Sequence, residues 1–128
     1  MADRTKILMI DDEEDLAYFV RVNLEKTGKF TVLSATRGSE GIKLAKSEKP
    51  DLILLDLVMP EMDGGQVAAQ LLANTSTKKI PIIFLTALAE KEQVEAYEGK
   101  IGGRDYIAKP VTSEELIVRI ESVLGKEA

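Results

Sequence analysis

Residues 52–64 read Leu52-Ile53-Leu54-Leu55-Asp56-Leu57-Val58-Met59-Pro60-Glu61-Met62-Asp63-Gly64. A carboxylate placed directly after four large aliphatic residues costs free energy unless a cation, hydrogen bonds or chemistry engages it. The same construction occurs at Ile7-Leu8-Met9-Ile10, which runs into Asp11-Asp12. Two strand-like runs that both terminate in acid point to one shared site at one edge of a sheet.

Outward from these two runs, the chain alternates apolar stretches with helix-period segments. Ile7 to Ile10, Phe30 to Ala35, Leu52 to Leu55, Ile80 to Leu85 and Tyr106-Ile107-Ala108 read as strands. They lack polar alternation, which suggests strands covered on both faces, as in a parallel sheet. Between them, Glu14 to Lys26 carries Leu16, Phe19, Val20 and Leu24 at helical spacing, with Gly28 placed to stop the helix. Ser39 to Ser47 sets Ile42 and Ala45 on one side, and Asp63 to Leu72 does the same with Val67, Leu71 and Leu72. The Asp63-Gly64 pair reads as a turn; the alternating acids of a calcium loop are absent. A fourth helix is expected over Glu90 to Lys100, with an early end where Gly99, Gly102 and Gly103 cluster. The last helix opens on a capping box, Thr112 with Glu115, and bears the stripe Leu116, Ile117, Ile120, Val123, Leu124. Five β-then-α units give an α/β, doubly wound, five-stranded parallel sheet with five helices and right-handed crossovers.

Composition narrows the function. At 128 residues the chain is one domain, 1–128, large enough to bury a core. With 45% apolar and 30% charged residues it is an ordinary globular protein. A net charge of −5 argues against direct nucleic-acid binding, which needs a basic face. The absence of cysteine excludes disulfides and thiolate chemistry. The absence of histidine excludes a Ser-His-Asp triad and histidine phosphorylation within this chain. The longest mostly apolar stretch, Ile80 to Ala89, is too short for a bilayer, which takes about 20 residues. With no signal-peptide core after Met1, the expectation is a cytoplasmic protein without a membrane partner.

In doubly wound sheets the working crevice lies beyond the carboxyl ends of the strands. Asp11, Asp12, Asp56 and Thr86 stand at such ends, and Lys109 follows the fifth strand. Three carboxylates in one pocket raise each other's pKa unless a cation intervenes. Oxygen-only donors favour a hard ion, Mg²⁺ above all. A metal, an ammonium and a hydroxyl around one carboxylate suit a phosphoryl group arriving on that carboxylate, with the cations neutralising its equatorial oxygens.

These residues carry a resemblance. The chain resembles the receiver domain of two-component response regulators, including the single-domain chemotaxis-regulator type, over essentially its whole length. The resemblance rests on Ile7 to Glu13, Pro50 to Gly64, Pro81 to Ala87 and Asp105 to Pro110. It implies a flavodoxin-like fold with strand order 2-1-3-4-5 and a switch rather than an enzyme, one that catalyses only its own phosphoryl transfer and self-dephosphorylation. Asp56 matches the phosphoacceptor, and Asp12 and Asp11 the direct and water-mediated Mg²⁺ ligands. The Val58 carbonyl matches the main-chain ligand, and Thr86 and Lys109 the hydroxyl and ammonium that bind phosphoryl oxygens. Pro110 matches the proline after a cis bond, and Tyr106 the aromatic whose rotamer reports phosphorylation. The implied donor is a sensor histidine kinase or histidine phosphotransfer protein, and the implied target a downstream protein or output domain. A phosphorylation-dependent homodimer through the face of the fourth helix, fifth strand and fifth helix is a further expectation. The chain is then either a stand-alone receiver or a piece of a longer regulator or hybrid kinase.

There are departures. The Thr86–Lys109 segment is about one residue longer than the family pattern, and Gly103 stands where alanine is usual. Val58 and Leu88 occupy positions that tune water access to the phosphoryl group. Two apolar side chains cannot orient an attacking water, so slow self-dephosphorylation is expected. Ordinary structural readings stand beside the functional ones. Asp11 and Asp12 could serve the dipole of the first helix, as Glu13, Glu14 and Asp15 are expected to do unless they face solvent. Thr86 could be a satisfied strand-end hydroxyl, Lys109 a solvated charge and Tyr106 a packing residue. For the whole chain the alternatives are a constitutive interaction module and a Mg²⁺-dependent phosphohydrolase. The latter normally needs a second acid where Val58 stands.

Overall fold

The five apolar runs form strands, and on the central ones helices cover both faces. The computed structural model describes residues 4–60, 62–87, 100–101, 104–109 and 111–125. The order is β1 (Thr5–Ile10), α1 (Glu14–Glu25), β2 (Phe30–Ala35), α2 (Gly38–Glu48), β3 (Leu52–Asp56), α3 (Gly64–Ala73), β4 (Ile82–Thr86), β5 (Lys100–Ile101), β6 (Arg104–Ala108) and α4 (Ser113–Val123). Along β1, Ile7 and Met9 join one apolar cluster, with Val20 and Leu24 of α1 and Leu116 and Ile120 of α4. Leu8 and Ile10 join the other, with Ile42 and Ala45 of α2 and Val67 and Leu71 of α3. All four β1 residues are fully buried, which is why the run shows no polar alternation.

The sheet order is β2-β1-β3-β4-β6-β5. The five long strands are parallel, in the expected order with β6 as the fifth. One strand was not expected. Two-residue β5 pairs antiparallel with β6, Lys100 opposite Asp105 and Ile101 opposite Arg104. Lys100, expected as the end of the fourth helix, therefore lies in a strand, and the remainder of that helix falls outside the described residues. In the sequence two residues, Gly102-Gly103, lie between the paired segments, a length and composition common in two-residue connections. Four helices, rather than five, occur among the described residues.

Helix ends follow local chemistry. Asp63 is not a turn residue but the N-cap of α3: its carboxylate accepts from the Gln66 N–H at 2.9 Å while the Gln66 side chain accepts from the Asp63 N–H. Thr112 and Glu115 form the expected box on α4. Two residues assigned to buried stripes are out of place, Phe19 at 43% exposure and Leu72 at 51%. Each is adjacent to a fully buried neighbour, Val20 or Leu71, and one residue of helix turns a side chain by about 100°. At the β2 edge, a Glu25 carboxylate oxygen of α1 accepts the Val32 N–H at 2.9 Å.

Candidate functional site

The registers bring the acids together. Ile10 pairs with Leu55, so Asp11 and Asp56 are the next residues on adjacent strands. Thr86 pairs with Ala108 one strand further on, which places Lys109 beside the same rim. The ends are pinned by backbone hydrogen bonds, Asp11 N–H to the Ala35 carbonyl at 3.0 Å, Leu57 N–H to Leu85 at 3.1 Å and Lys109 N–H to Thr86 at 2.7 Å. Gly64 packs so tightly beneath the loop after β3 that a Cβ there would lie 2.4 Å from the Asp56 carbonyl oxygen and 2.8 Å from Leu57 Cα.

Asp11, Asp12 and Asp56 present carboxylate oxygens within 4.8 Å of one another. Asp11 is fully buried, Asp56 is 5% exposed, and Asp12 faces solvent. Lys109 Nζ lies 2.6 Å from Glu13 Oε1, 3.0 Å from Asp11 Oδ2 and 3.5 Å from Asp56 Oδ1. The other Asp11 oxygen accepts the Glu13 N–H at 2.9 Å. Asp56 Oδ1 accepts a long bond, 3.4 Å, from the Val58 N–H.

The electrostatics follow from burial. Desolvation, reinforced by the charge of Asp11, raises the Asp56 carboxyl to about 6, against pull from Lys109. Desolvation also raises Asp11, partly offset by the Glu13 N–H and Lys109. Burial pulls the Lys109 ammonium down, but bonds to Glu13 and Asp11 more than offset it and leave it above the usual lysine range. At neutral pH the Asp56 carboxyl is therefore still mostly ionised. Asp11 Oδ2 is buried without a well-directed hydrogen bond among the described residues, although Lys109 Nζ is near. A buried carboxylate oxygen of this kind, with two more carboxylates close by and no nitrogen or sulfur donors, fits a hard divalent cation. A cleft of about 730 Å³ opens beside Asp12, with Glu13, Arg37, Met59, Pro60 and Met62 in its walls.

Thr86 is buried at the end of β4. Tyr106 is partly buried, its ring stacked on Phe84 with centroids 5.2 Å apart. Val58 exposes its side chain. Pro110 and Leu88 lie outside the described residues, as does the fourth-helix part of the face expected for dimerisation apart from Lys100.

The family model for the response regulator receiver domain matches residues 7–121. The chain belongs to the response regulator receiver-domain family. The receiver is 40% identical over 120 residues to protein PilH of Pseudomonas aeruginosa, covering 94% of this chain and 98% of PilH. It is 39% identical over 122 residues to the alkaline phosphatase synthesis transcriptional regulatory protein PhoP of Bacillus subtilis. That match covers 94% of this chain and 49% of PhoP, so the receiver spans about half of that relative. The chemotaxis protein CheY4 of Vibrio cholerae has a similar structure, with a TM-score of 0.80 at 26% identity over 94% of this chain and 99% of CheY4. The fold is the flavodoxin-like receiver fold, and its general function is a phosphorylation-operated switch in two-component signalling. Aspartate phosphorylation and Mg²⁺ binding at an acidic pocket are general features of the family. Receiver domains take phosphate from histidine kinases and act on downstream targets.

Two participants at this rim and its flank escaped the sequence reading. Glu13, expected to favour a helix dipole or face solvent, is exposed as expected but also holds Lys109. Only its place directly after Asp11-Asp12 hinted at this. Arg119 donates to the Tyr106 carbonyl at 3.2 Å and to Asp105 at 3.0 Å. No local signal marks an arginine inside a helical stripe for that task.

Proposed function

We propose that Asp56 is the phosphoryl acceptor of this receiver, which forms one domain through residues 1–128. The observation that carries the reading is a nearly buried, ionisable carboxylate at the end of β3, with an ammonium 3.5 Å away and two further carboxylates within 4.8 Å. A carboxylate oxygen of Asp56 attacks phosphorus on a partner's phosphohistidine. An O–P bond forms, the P–N bond breaks, and the imidazole departs with the electron pair. Asp11, Asp12, Asp56 and the Val58 carbonyl would hold Mg²⁺, which when bound supplies charge neutralisation at the phosphoryl oxygens. The exposed Val58 side chain suits a role carried by its backbone. Lys109 and Thr86 bind the new oxygens, and Tyr106, stacked on Phe84 of the same strand as Thr86, carries the change outward. Both states pre-exist, and the phosphoryl group shifts their populations.

Catalysis is confined to the domain's own phosphoryl transfer and hydrolysis. The donor is a histidine kinase or phosphotransfer protein in the cytoplasm. The target is a downstream protein or output domain, with homodimerisation across the flank that carries β6 and α4 as one route to it.

Intact mass after incubation with acetyl phosphate tests the reading. One Mg²⁺-dependent phosphoryl adduct is expected, absent in Asp56→Asn and slow to decay, because apolar Val58 gives water no hydrogen bond. No adduct on folded protein, or one that survives the substitution, would overturn the assignment and favour a constitutive module. Loss of the adduct within seconds would remove the claim about Val58.

A further inference from the structure

Lys109 has three carboxylates within reach but is closest to the one that the phosphoryl-transfer reading does not use. Its ammonium has three protons to give, and the shortest contact, 2.6 Å, goes to Glu13, while Asp56 stands at 3.5 Å. Glu13 is arranged for this contact. It is the N-cap of α1, yet its side chain makes no capping hydrogen bond, and glutamate is not a preferred cap. Its N–H is fixed on Asp11 Oδ1, which sets the backbone, and its side chain reaches across the rim to a residue 96 positions away. The Lys109 side chain is only 13% exposed while that of Glu13 is 58% exposed, so the pair has one end withdrawn from solvent and one end open to it.

We infer that Glu13 is a positioning residue that parks the Lys109 ammonium away from Asp56 while the acceptor is empty and gives it up when Asp56 is modified. The inference rests on the receiver reading. A phosphoryl group brings a charge of about −1.5 to −2 and three strong acceptor oxygens, and Lys109 must turn from Glu13 to meet them. The Glu13–Lys109 contact is therefore a contact of the unmodified state alone, and its strength is subtracted from the affinity of the site for a phosphoryl oxygen. An aspartate at this position is one methylene, about 1.5 Å, too short to keep the 2.6 Å contact from the same backbone.

The test measures beryllofluoride affinity, as a phosphoryl mimic at saturating Mg²⁺, for the wild-type chain, Glu13→Gln, Glu13→Asp and Glu14→Gln. Glu14→Gln removes an equal charge from the first turn of α1 and controls for net field. Tightening of about 2- to 5-fold is expected for both Glu13 variants, the value of a half-exposed ion pair, and less than about 2-fold for Glu14→Gln. In a Lys109→Ala background the Glu13→Gln effect should vanish. A second readout needs neither metal nor mimic. The ¹⁵Nζ signal of Lys109 in the metal-free protein, sharp when the ammonium is hydrogen-bonded, should broaden or shift in Glu13→Gln and stay put in Glu14→Gln. An effect equal to that of Glu14→Gln, an effect that persists without Lys109, or an unchanged ¹⁵Nζ signal would each overturn the inference. Failure of the wild type to bind beryllofluoride, or retained binding in Asp56→Asn, would instead defeat the receiver assignment, and the Lys109 signal would still decide whether Glu13 parks the ammonium.

Discussion

The rim built by β1 and β3 and the flank built by β6 and α4 are held by different kinds of force. The rim belongs to the central strands. Ile7 to Ile10 and Leu52 to Leu55 are fully buried, and the acids that follow them are fixed by backbone register. The flank lies toward the sheet edge, where the Tyr106 side chain is only partly buried, stacks on Phe84 at the margin of an apolar cluster, and has its main-chain carbonyl held by Arg119. Charge that must be placed accurately therefore sits on the part of the fold least able to move. The residue proposed to report on it sits where a few side-chain contacts can be exchanged.

The comparison breaks most completely at Gly64. Gly64→Ala would drive a methyl group into the Asp56 carbonyl and Leu57, both of them backbone with no side chain to swing away. We expect a loss of about 3 kcal/mol in denaturant unfolding, accompanied by a large drop in the rate of adduct formation. A substitution tolerated within 0.5 kcal/mol would show that the rim is not rigid.

A pH series comes next and isolates the stored repulsion. Asp56 titrates near 6 in the folded protein against 3.8 when unperturbed, so the native state holds the proton more tightly than the unfolded chain does. Stability of the metal-free protein should therefore be greatest on the acid side of this window and fall by about 2 kcal/mol as pH rises from about 4 to above 6. Asp11, also raised, acts in the same direction. Asp56→Asn should flatten most of the decline, and Mg²⁺ at neutral pH should reverse it. A slope of the opposite sign would mean that the ammonium overcompensates the acids.

The smallest effect is expected on the flank. Arg119→Met keeps the aliphatic stem but removes the donors to Tyr106 and Asp105. The cost should be about 1 kcal/mol, with broader ring resonances for Tyr106 and little change in Mg²⁺ affinity. Coupling to the rim as strong as that of Gly64→Ala would erase the distinction between the two regions.

Much of this was legible in the chain. Strands buried on both faces write themselves as uninterrupted aliphatic runs, and Asp11, Asp56, Thr86 and Lys109 stand at their ends, where a parallel sheet gathers its chemistry. Contacts that depend on reach were not legible. Nothing around Glu13 or Arg119 states that their side chains cross to Lys109 or Tyr106. Phe19 and Leu72 share the helical spacing of the buried residues around them, but each stands at the margin of its stripe, where helical rotation turns the side chain outward. β5 is two residues long and has no apolar run of its own, although the intervening Gly102-Gly103 was a hairpin signal in plain view.

The carboxylate of Glu25 on the Val32 N–H has a consequence for how the molecule meets its own kind. An outer strand with unpaired amides is a template on which another chain can grow a sheet. Here one border has an outward amide already occupied by a side chain of the preceding helix, and the opposite border ends in a strand of two residues. The bonded Val32 amide interrupts the ladder that β2 presents, and β5 is too short to present a long one, so each device hinders a second copy from extending the sheet.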